Sequence, residues 1–178
     1  GSFGFVRLKI IDLSDRSNQP FVSKDKNVKI IFNGEIYNYK ELKNKYFNKE
    51  IFKSSGDGEI LLHLYLKFGI NFLEKIKGMF AIAIIDEKLN KVFLVRDRFG
   101  IKPLYYSFIA NTLYFCSEIA GITVNKKNNF GFNLNEMERY FKQGLVNASS
   151  ETWFKNINQV PAGNFLVYSK NLGIKKIK

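Results

Sequence analysis

Several residue types that support common protein chemistries are scarce in this sequence. Its 178 residues include one cysteine, Cys116, and one histidine, His63. A single cysteine excludes an internal disulfide, and this cysteine and histidine are too few to predict a metal-binding cluster. No apolar run approaches the ~20 residues that a membrane-spanning helix needs, and the first residues lack the charged-then-apolar layout of a signal peptide. The sequence therefore predicts a soluble, cytoplasmic protein with neither a membrane partner nor disulfide or metal chemistry.

Acidic residues are also few. The chain has 16 aspartates and glutamates against 28 lysines and arginines, which gives a formal net charge of +12. Such an excess attracts phosphates and makes a nucleic-acid-binding protein an alternative class. A nucleic-acid surface gathers its basic residues on one face, whereas these lysines are scattered, with short clusters only at Lys126-Lys127 and Lys175-Lys176. A general bias of the composition toward lysine is the favoured explanation, and no nucleic-acid partner is expected.

The apolar pattern predicts one domain over residues 1–178, with a well-buried core, because 46% of the residues are hydrophobic. Met79 to Ile85 is apolar at both alternating sets of positions, which indicates a strand covered on both faces. Further strands are predicted at Phe5–Leu13, Val28–Phe32, Lys91–Arg96, Leu104–Phe108, Thr112–Cys116 and Asn164–Ser169, and helices at Asn38–Phe47, Gly58–Phe68 and Leu134–Gln143 with Asn133 as N-cap. This alternation is typical of a layered α+β domain.

The segment Asn33-Gly34-Glu35 is the first candidate for chemistry, and it is predicted to form a polar turn between a strand and a helix. A side-chain amide beside a backbone N–H that no Cβ shields is what the stabilisation of an oxyanion requires. Asn-Gly is also one of the commonest plain turn signals. The pattern by itself leaves both interpretations open.

Three further segments accompany this one in a fixed order along the chain. They are Arg7-Leu8-Lys9-Ile10-Ile11-Asp12 with Gln19-Pro20, then Ser55-Gly56-Asp57-Gly58-Glu59, then Arg96-Asp97-Arg98-Phe99-Gly100-Ile101-Lys102-Pro103-Leu104-Tyr105. From about Gly4 to residues 160–163, the set resembles the glutaminase domain of asparagine synthetase, a class II glutamine amidotransferase of the N-terminal-nucleophile hydrolase type. The resemblance implies an αββα four-layer sandwich that is truncated at its N-terminus and lacks the first strands. The third segment is interpreted as structural, with Arg96 and Asp97 pairing at a turn.

The resemblance also implies roles for particular residues. Arg7 would pair with the α-carboxylate of glutamine, which a planar guanidinium can grip bidentately. Asp57 would receive the α-amino group, with N-capping of the following helix as the alternative. Asn33 and Gly34 would form the oxyanion hole, and Glu35 would be a nearby substrate contact.

The nucleophile of the resembling family is a cysteine at the mature N-terminus, whereas this sequence begins Gly1-Ser2-Phe3-Gly4. Cys116 is rejected as a substitute, because nothing near it in the sequence would lower its pKa. The 178-residue chain is therefore expected not to hydrolyse glutamine by itself.

The synthetase domain of the family is not expected within these residues, because no Ser-Gly-Gly-x-Asp-Ser loop occurs in them. ATP and magnesium would belong to that domain, and no cofactor is expected here. The resemblance implies an asparagine synthetase type of enzyme, in which this domain supplies ammonia to a separate synthetase domain or subunit. The alternatives are a non-catalytic amidotransferase-like module for binding or regulation, and homodimerisation across the strand edge that a lost first strand would leave open.

Overall fold

The computed structural model describes residues 4–6, 11–124, 130–145, 149–171 and 173–177. The strands are β1 (Phe21–Val22), β2 (Val28–Ile36), β3 (Gly78–Asp86), β4 (Lys91–Arg96), β5 (Tyr105–Ile109), β6 (Thr112–Cys116), β7 (Asn158–Gln159), β8 (Phe165–Ser169) and β9 (Gly173–Ile177). The helices are α1 (Tyr39–Phe47), α2 (Glu59–Phe68), α3 (Ile119–Thr123) and α4 (Leu134–Gln143), with 3₁₀ turns at Asp15–Ser17 and Gly69–Glu74. None of the helices in these described ranges is both long and apolar enough to cross a bilayer.

Two antiparallel sheets organise the chain. The larger has six strands in the order β1-β2-β3-β4-β8-β9, and the smaller has three in the order β6-β5-β7. Neighbouring strands in both sheets run antiparallel. The central position of β3 in the larger sheet explains its apolar sequence, because a strand with neighbours on both sides and covered faces has few positions for polar side chains.

The core lies on both faces of the six-stranded sheet. On one face, Phe80, Ile82 and Ile84 of β3 pack with the buried residues of α1 and α2. On the other face, Ala81 and Ala83 pack with Leu104 and with side chains of β5 and β6. The layers are therefore helices, large sheet and small sheet, with α3 in contact with β5 and β6. The predicted α+β sandwich and the two-sided burial of β3 are confirmed.

Local patterns located most elements correctly. The predicted helices correspond to α1, α2 and α4, and the predicted β5–β6 hairpin turns at Ala110 and Asn111, both of which have positive φ. Asn133 occupies the N-cap position of α4, but its side-chain amide donates to Glu151 instead of capping the helix. The predicted strand over 5–13 is wrong at both described ends, where residues 5–6 and 11–13 are irregular, and its residues 7–10 lie outside the described ranges.

The buried Arg96 and Asp97 do not pair with each other, contrary to the prediction. Arg96 donates to the carbonyls of Lys102, Gly100 and Val160 and to Gln159 Oε1, each at 2.9 Å. The carboxylate of Asp97, which is 1% exposed, accepts from four backbone N–H groups, those of Phe80, Phe99, Ile101 and Lys102. Each charge is stabilised by backbone dipoles, which fix the loop after β4 more firmly than one ion pair would.

Candidate functional site

The segment Asn33-Gly34-Glu35 lies inside β2 and does not form the predicted turn. Residues 28–36 pair without interruption with β3, and Gly34 lies opposite Phe80. The reason is tertiary, because nine consecutive residues find antiparallel partners on β3 and this outweighs the local turn preference of Asn-Gly. Asn33 and Glu35 therefore point to one face of the sheet, while Phe32 and Ile36 point to the other.

Gly34 is required by the close approach of β2 to β3. Its φ is +148°, and a Cβ built on it would lie 2.0 Å from the carbonyl oxygen of Met79. Side chains rarely occupy this backbone region, and no real Cβ approaches an oxygen so closely. The backbone N–H of Gly34 is consequently left without a side chain beside it.

The direction of that N–H follows from the bonds of its neighbours. In an antiparallel ladder, alternate residues direct their N–H and C=O groups to opposite edges of the strand. Phe32 N donates to Gln19 Oε1 at 2.6 Å, and Ile36 N donates to Asp57 Oδ2 at 2.8 Å, both on the edge away from β3. Gly34 lies midway between them, so its N–H points to the same edge.

Asn33 carries the adjacent amide on the face toward the small sheet. Its Nδ2 lies 3.4 Å from Ser117 Oγ, just after β6. That distance is long for a hydrogen bond, so the contact orients the amide while holding it weakly. The two donors predicted for the oxyanion hole are thus consecutive on one strand.

Asp57 reaches β2 from the loop before α2. Its carboxylate is 8% exposed and accepts the N–H of Ile36, two residues beyond Gly34. The N-cap position of α2 belongs to Gly58, whose missing side chain leaves room for the rings of Phe21 and Phe32, within 2.6 Å of a built Cβ. Asp57 thus lies one residue before the N-cap of α2, with its carboxylate directed to β2.

Two carboxylates that sequence reasoning did not assign to the site hold this loop. Asp12 Oδ2 accepts from Ser17 Oγ at 2.7 Å and from Ser55 N at 2.9 Å, and Asp12 Oδ1 accepts from Ser14 N at 2.8 Å. Hydrogen bonds from Ser14, Ser17 and Ser55 hold the pKa of Asp12 well below its usual range. Glu59 accepts the N–H groups of Lys53 and Ser54 from the other side of the loop. Ser54 and Ser55, just before Asp57, were the feature of the sequence that could have indicated this hydrogen-bonded loop.

These groups meet at a cavity of about 1010 Å³. Of the residues assigned by resemblance, Asn33, Gly34, Glu35 and Asp57 all line it, whereas Arg7 lies outside the described residues. Apolar side chains from both sheets complete the wall, among them Ile31, Ala81, Ala83, Leu104, Leu113 and Phe115. A cavity with apolar walls and a few convergent polar groups is what a small-molecule site presents.

Cys116 also lines the cavity, which the sequence did not indicate. Its Sγ lies against Gly121 of α3, where an added Cβ would meet it at 2.3 Å. His63, the histidine that could act as a base for Cys116, has other partners. Its Nδ1 lies 2.6 Å from Glu50 Oε2, and its ring lies 4.4 Å from that of Phe52. His63 is thus a partly exposed residue of α2 whose ring is already engaged by Glu50 and Phe52.

Comparison with known proteins finds relatives over most of this chain. The chain is 44% identical over 168 residues to asparagine synthetase [glutamine-hydrolyzing] 2 of Bacillus subtilis, a match that covers 92% of this chain and 22% of the relative. It is 38% identical over 183 residues to putative asparagine synthetase [glutamine-hydrolyzing] 2 of Methanocaldococcus jannaschii, covering 93% of this chain and 35% of the relative. The chain therefore spans about a fifth to a third of the length of these relatives.

Solved structures share the fold. A glutamine phosphoribosylpyrophosphate amidotransferase from B. subtilis superposes with a TM-score of 0.62 at 22% identity, covering 90% of this chain and 31% of that one. The allosteric regulatory enzyme of purine biosynthesis gives a TM-score of 0.64 at 22% identity, covering 92% and 31%. At this identity the likeness shows the fold alone. Residues 2–176 match the profile of the glutamine amidotransferase domain, and the chain belongs to this family of class II glutamine amidotransferase domains.

Proposed function

We propose that this domain binds glutamine in the cavity and supplies the oxyanion donors for hydrolysis of its side-chain amide. The observation that carries the proposal is that Asn33, Gly34 and Asp57 line one cavity although they come from two distant segments. Asn33 Nδ2 and Gly34 N–H are the two donors, which stabilise the negative oxygen that develops when the amide carbonyl is attacked. Both are held on a strand of the large sheet, so they need little reorganisation during the reaction.

The amino-acid end of glutamine would be recognised by charge. Asp57 accepts the α-ammonium group, and the N–H of Ile36 already fixes the direction of its carboxylate. Arg7 pairs with the α-carboxylate, and Glu35, which lines the same cavity, contacts the substrate nearby. A donor pair and a carboxylate lining the same cavity suit the side-chain amide and the α-ammonium group of glutamine.

A thiolate must attack the amide to form an acyl-enzyme, and we infer that these 178 residues offer no cysteine suited to that role. Cys116 is unsuited to it, because its sulfur packs against Gly121 and the histidine of the sequence, on α2, bonds Glu50. The ammonia would pass to a synthetase domain or subunit that carries the ATP and magnesium chemistry. The names of the relatives, asparagine synthetases that are glutamine-hydrolysing, support this coupling.

Isothermal calorimetry with the purified chain tests the binding proposal. Replacing Asp57 by Asn removes a charged partner of the α-ammonium, a contact worth about 1.5 to 3 kcal/mol, so glutamine affinity should fall about 10- to 100-fold. Asp15→Asn, at an exposed position on the 3₁₀ turn before β1, is the matched control and should bind as the parent does. Equal affinity of the Asp57→Asn and Asp15→Asn chains would contradict the placement of glutamine.

Glutamate release tests the assignment of the nucleophile. The 178-residue chain and its Cys116→Ala variant should both release glutamate at the rate of the buffer control, because neither holds a suitable thiolate. Turnover by the parent chain that disappears in Cys116→Ala would show that Cys116 is the nucleophile.

A further inference from the structure

One residue that has no role in the proposed reaction closes the exposed edge of β2. Within the described residues, β1 pairs with β2 only at Lys29 and Ile30. Beyond that point the side chain of Gln19 takes the place of a strand at Phe32. Its Oε1 accepts Phe32 N–H at 2.6 Å, and its Nε2 donates to Phe32 C=O at 2.9 Å.

A primary amide is suited to this position, because it carries one donor and one acceptor in the same plane, as a peptide unit does. The two bonds reproduce the paired N–H···O contacts that a neighbouring antiparallel strand would make. Gln19 also lines the cavity, so the amide lies at the boundary between the edge of β2 and the space for a ligand.

The position of this clamp along the strand matters for Gly34. Gln19 fixes Phe32, two residues before Gly34, and Asp57 fixes Ile36, two residues after it. Glycine has the most freedom of any residue about φ and ψ, so the direction of its N–H depends on how firmly the flanking residues are held. With both flanks bonded, the Gly34 N–H between them is aimed at the cavity edge.

We propose that Gln19 is a positioning residue for the oxyanion site, acting by clamping Phe32 so that the Gly34 N–H faces the carbonyl of the bound amide. This inference rests on the proposed function of the cavity. It predicts that the side chain at position 19 sets how well Gly34 N–H meets the ligand, through its two bonds to Phe32. Methionine at this position would keep the size and lose both bonds. Glutamate would keep the acceptor for Phe32 N–H and place a second carboxylate oxygen against Phe32 C=O.

The test uses the ¹⁵N-labelled 178-residue chain and three variants, Gln19→Met, Gln19→Glu and, as a matched control on the exposed end of α4, Gln143→Met. Amide exchange at Phe32 should accelerate about five- to tenfold in Gln19→Met, as expected for one lost hydrogen bond. The Gly34 amide resonance should move, and the glutamine dissociation constant should rise about five- to tenfold. Gln143→Met should match the parent in all three measurements. Melting midpoints recorded in parallel separate a loss of global stability from this local effect.

The outcomes separate the two claims. Suppose that Gln19→Met folds and its Phe32 amide exchanges faster. If it still binds glutamine with the affinity of the parent, and its Gly34 amide resonance lies where that of the parent does, the positioning role is overturned. If the parent chain does not bind glutamine but Gln19→Met still moves the Gly34 resonance, the proposed function fails and the positioning of Gly34 stands. If Gln19→Met does not fold, Gln19→Glu carries the same readouts. A weakened glutamine response in that variant supports the role, and an unchanged one overturns it.

Discussion

Replacing Gly34 by alanine tests the geometry of the donor strand directly, because the space for a methyl group is already occupied. The added Cβ would lie 2.0 Å from Met79 O and 2.8 Å from Phe80 Cα, both backbone atoms of β3. Since real Cβ contacts stay above 3.0 Å, β2 and β3 would have to separate by about 1 Å, the difference between 2.0 Å and 3.0 Å.

Such a separation would break bonds on both sides of Gly34. The ladder pairs Asn33 with Ala81 and Glu35 with Met79, and opening a normal 2.9 Å bond by about 1 Å takes it beyond hydrogen-bond length. At about 1 kcal/mol for each of two or three lost bonds, plus about 1 to 3 kcal/mol for the backbone region that glycine favours, the substitution should cost about 3 to 6 kcal/mol. That is a large part of a typical stability of about 5 to 15 kcal/mol.

Urea unfolding followed by far-UV circular dichroism gives the measurement, with Gly144→Ala as the control. Gly144 also has a positive φ, +67°, but no atom lies within 4 Å of its built Cβ. It should therefore cost only the backbone strain, about 1 to 2 kcal/mol. A difference of less than about 1 kcal/mol between the two variants in their loss of unfolding free energy would be less than the ladder bonds should contribute. In that case the β2–β3 contact does not constrain Gly34 and the reasoning fails.

Three further substitutions probe the buried polar groups. Asp97→Asn, which turns part of an acceptor for four backbone N–H groups into a donor, should lower the free energy of unfolding by about 2 to 4 kcal/mol in urea titrations; a change below that range would contradict the bonding described for Asp97. The pKa of Asp12 is lowered in the folded state. The stability that Asp12 contributes should therefore be fully present above about pH 5 and fall as the pH drops through about 4 and below. Between pH 7 and pH 3, the urea unfolding midpoint should fall less steeply with pH in Asp12→Asn than in the parent. An equal pH dependence of the two midpoints would refute this. Tyr65→Phe, which removes the 2.8 Å bond from the Tyr65 hydroxyl to Asp86, should cost about 1 to 2 kcal/mol. Burial and that bond raise the pKa of Tyr65, so in alkaline absorbance titrations the folded parent should show one more tyrosine that resists ionisation than the variant does.

The sequence by itself determined the elements that have strong local patterns. The apolar spacing in α2 and the continuous apolar run in β3 appear in the structure where they were predicted, because each buries its own apolar face wherever it docks. The β5–β6 hairpin was equally local, since its turn depends on Ala110 and Asn111. The motifs also identified Asn33, Gly34, Glu35 and Asp57, which meet at one cavity.

Only the tertiary structure decided how those residues are presented. Asn33-Gly34-Glu35 carries a strong turn signal, yet it forms a strand because β3 supplies partners to the whole of β2. The short strands β1 and β7 and the clamp by Gln19 were likewise invisible locally, since two-residue strands and side-chain bonds across 13 positions have no periodic pattern. Arg96 and Asp97, neighbours in the sequence, turn away from each other because the loop that follows them, together with Phe80 and residues 159–160, offers each charge more hydrogen bonds than the pair could. A local sequence pattern indicates the conformation that a segment prefers on its own. The direction of a donor such as the Gly34 N–H depends instead on which distant groups hold the strand on either side of it.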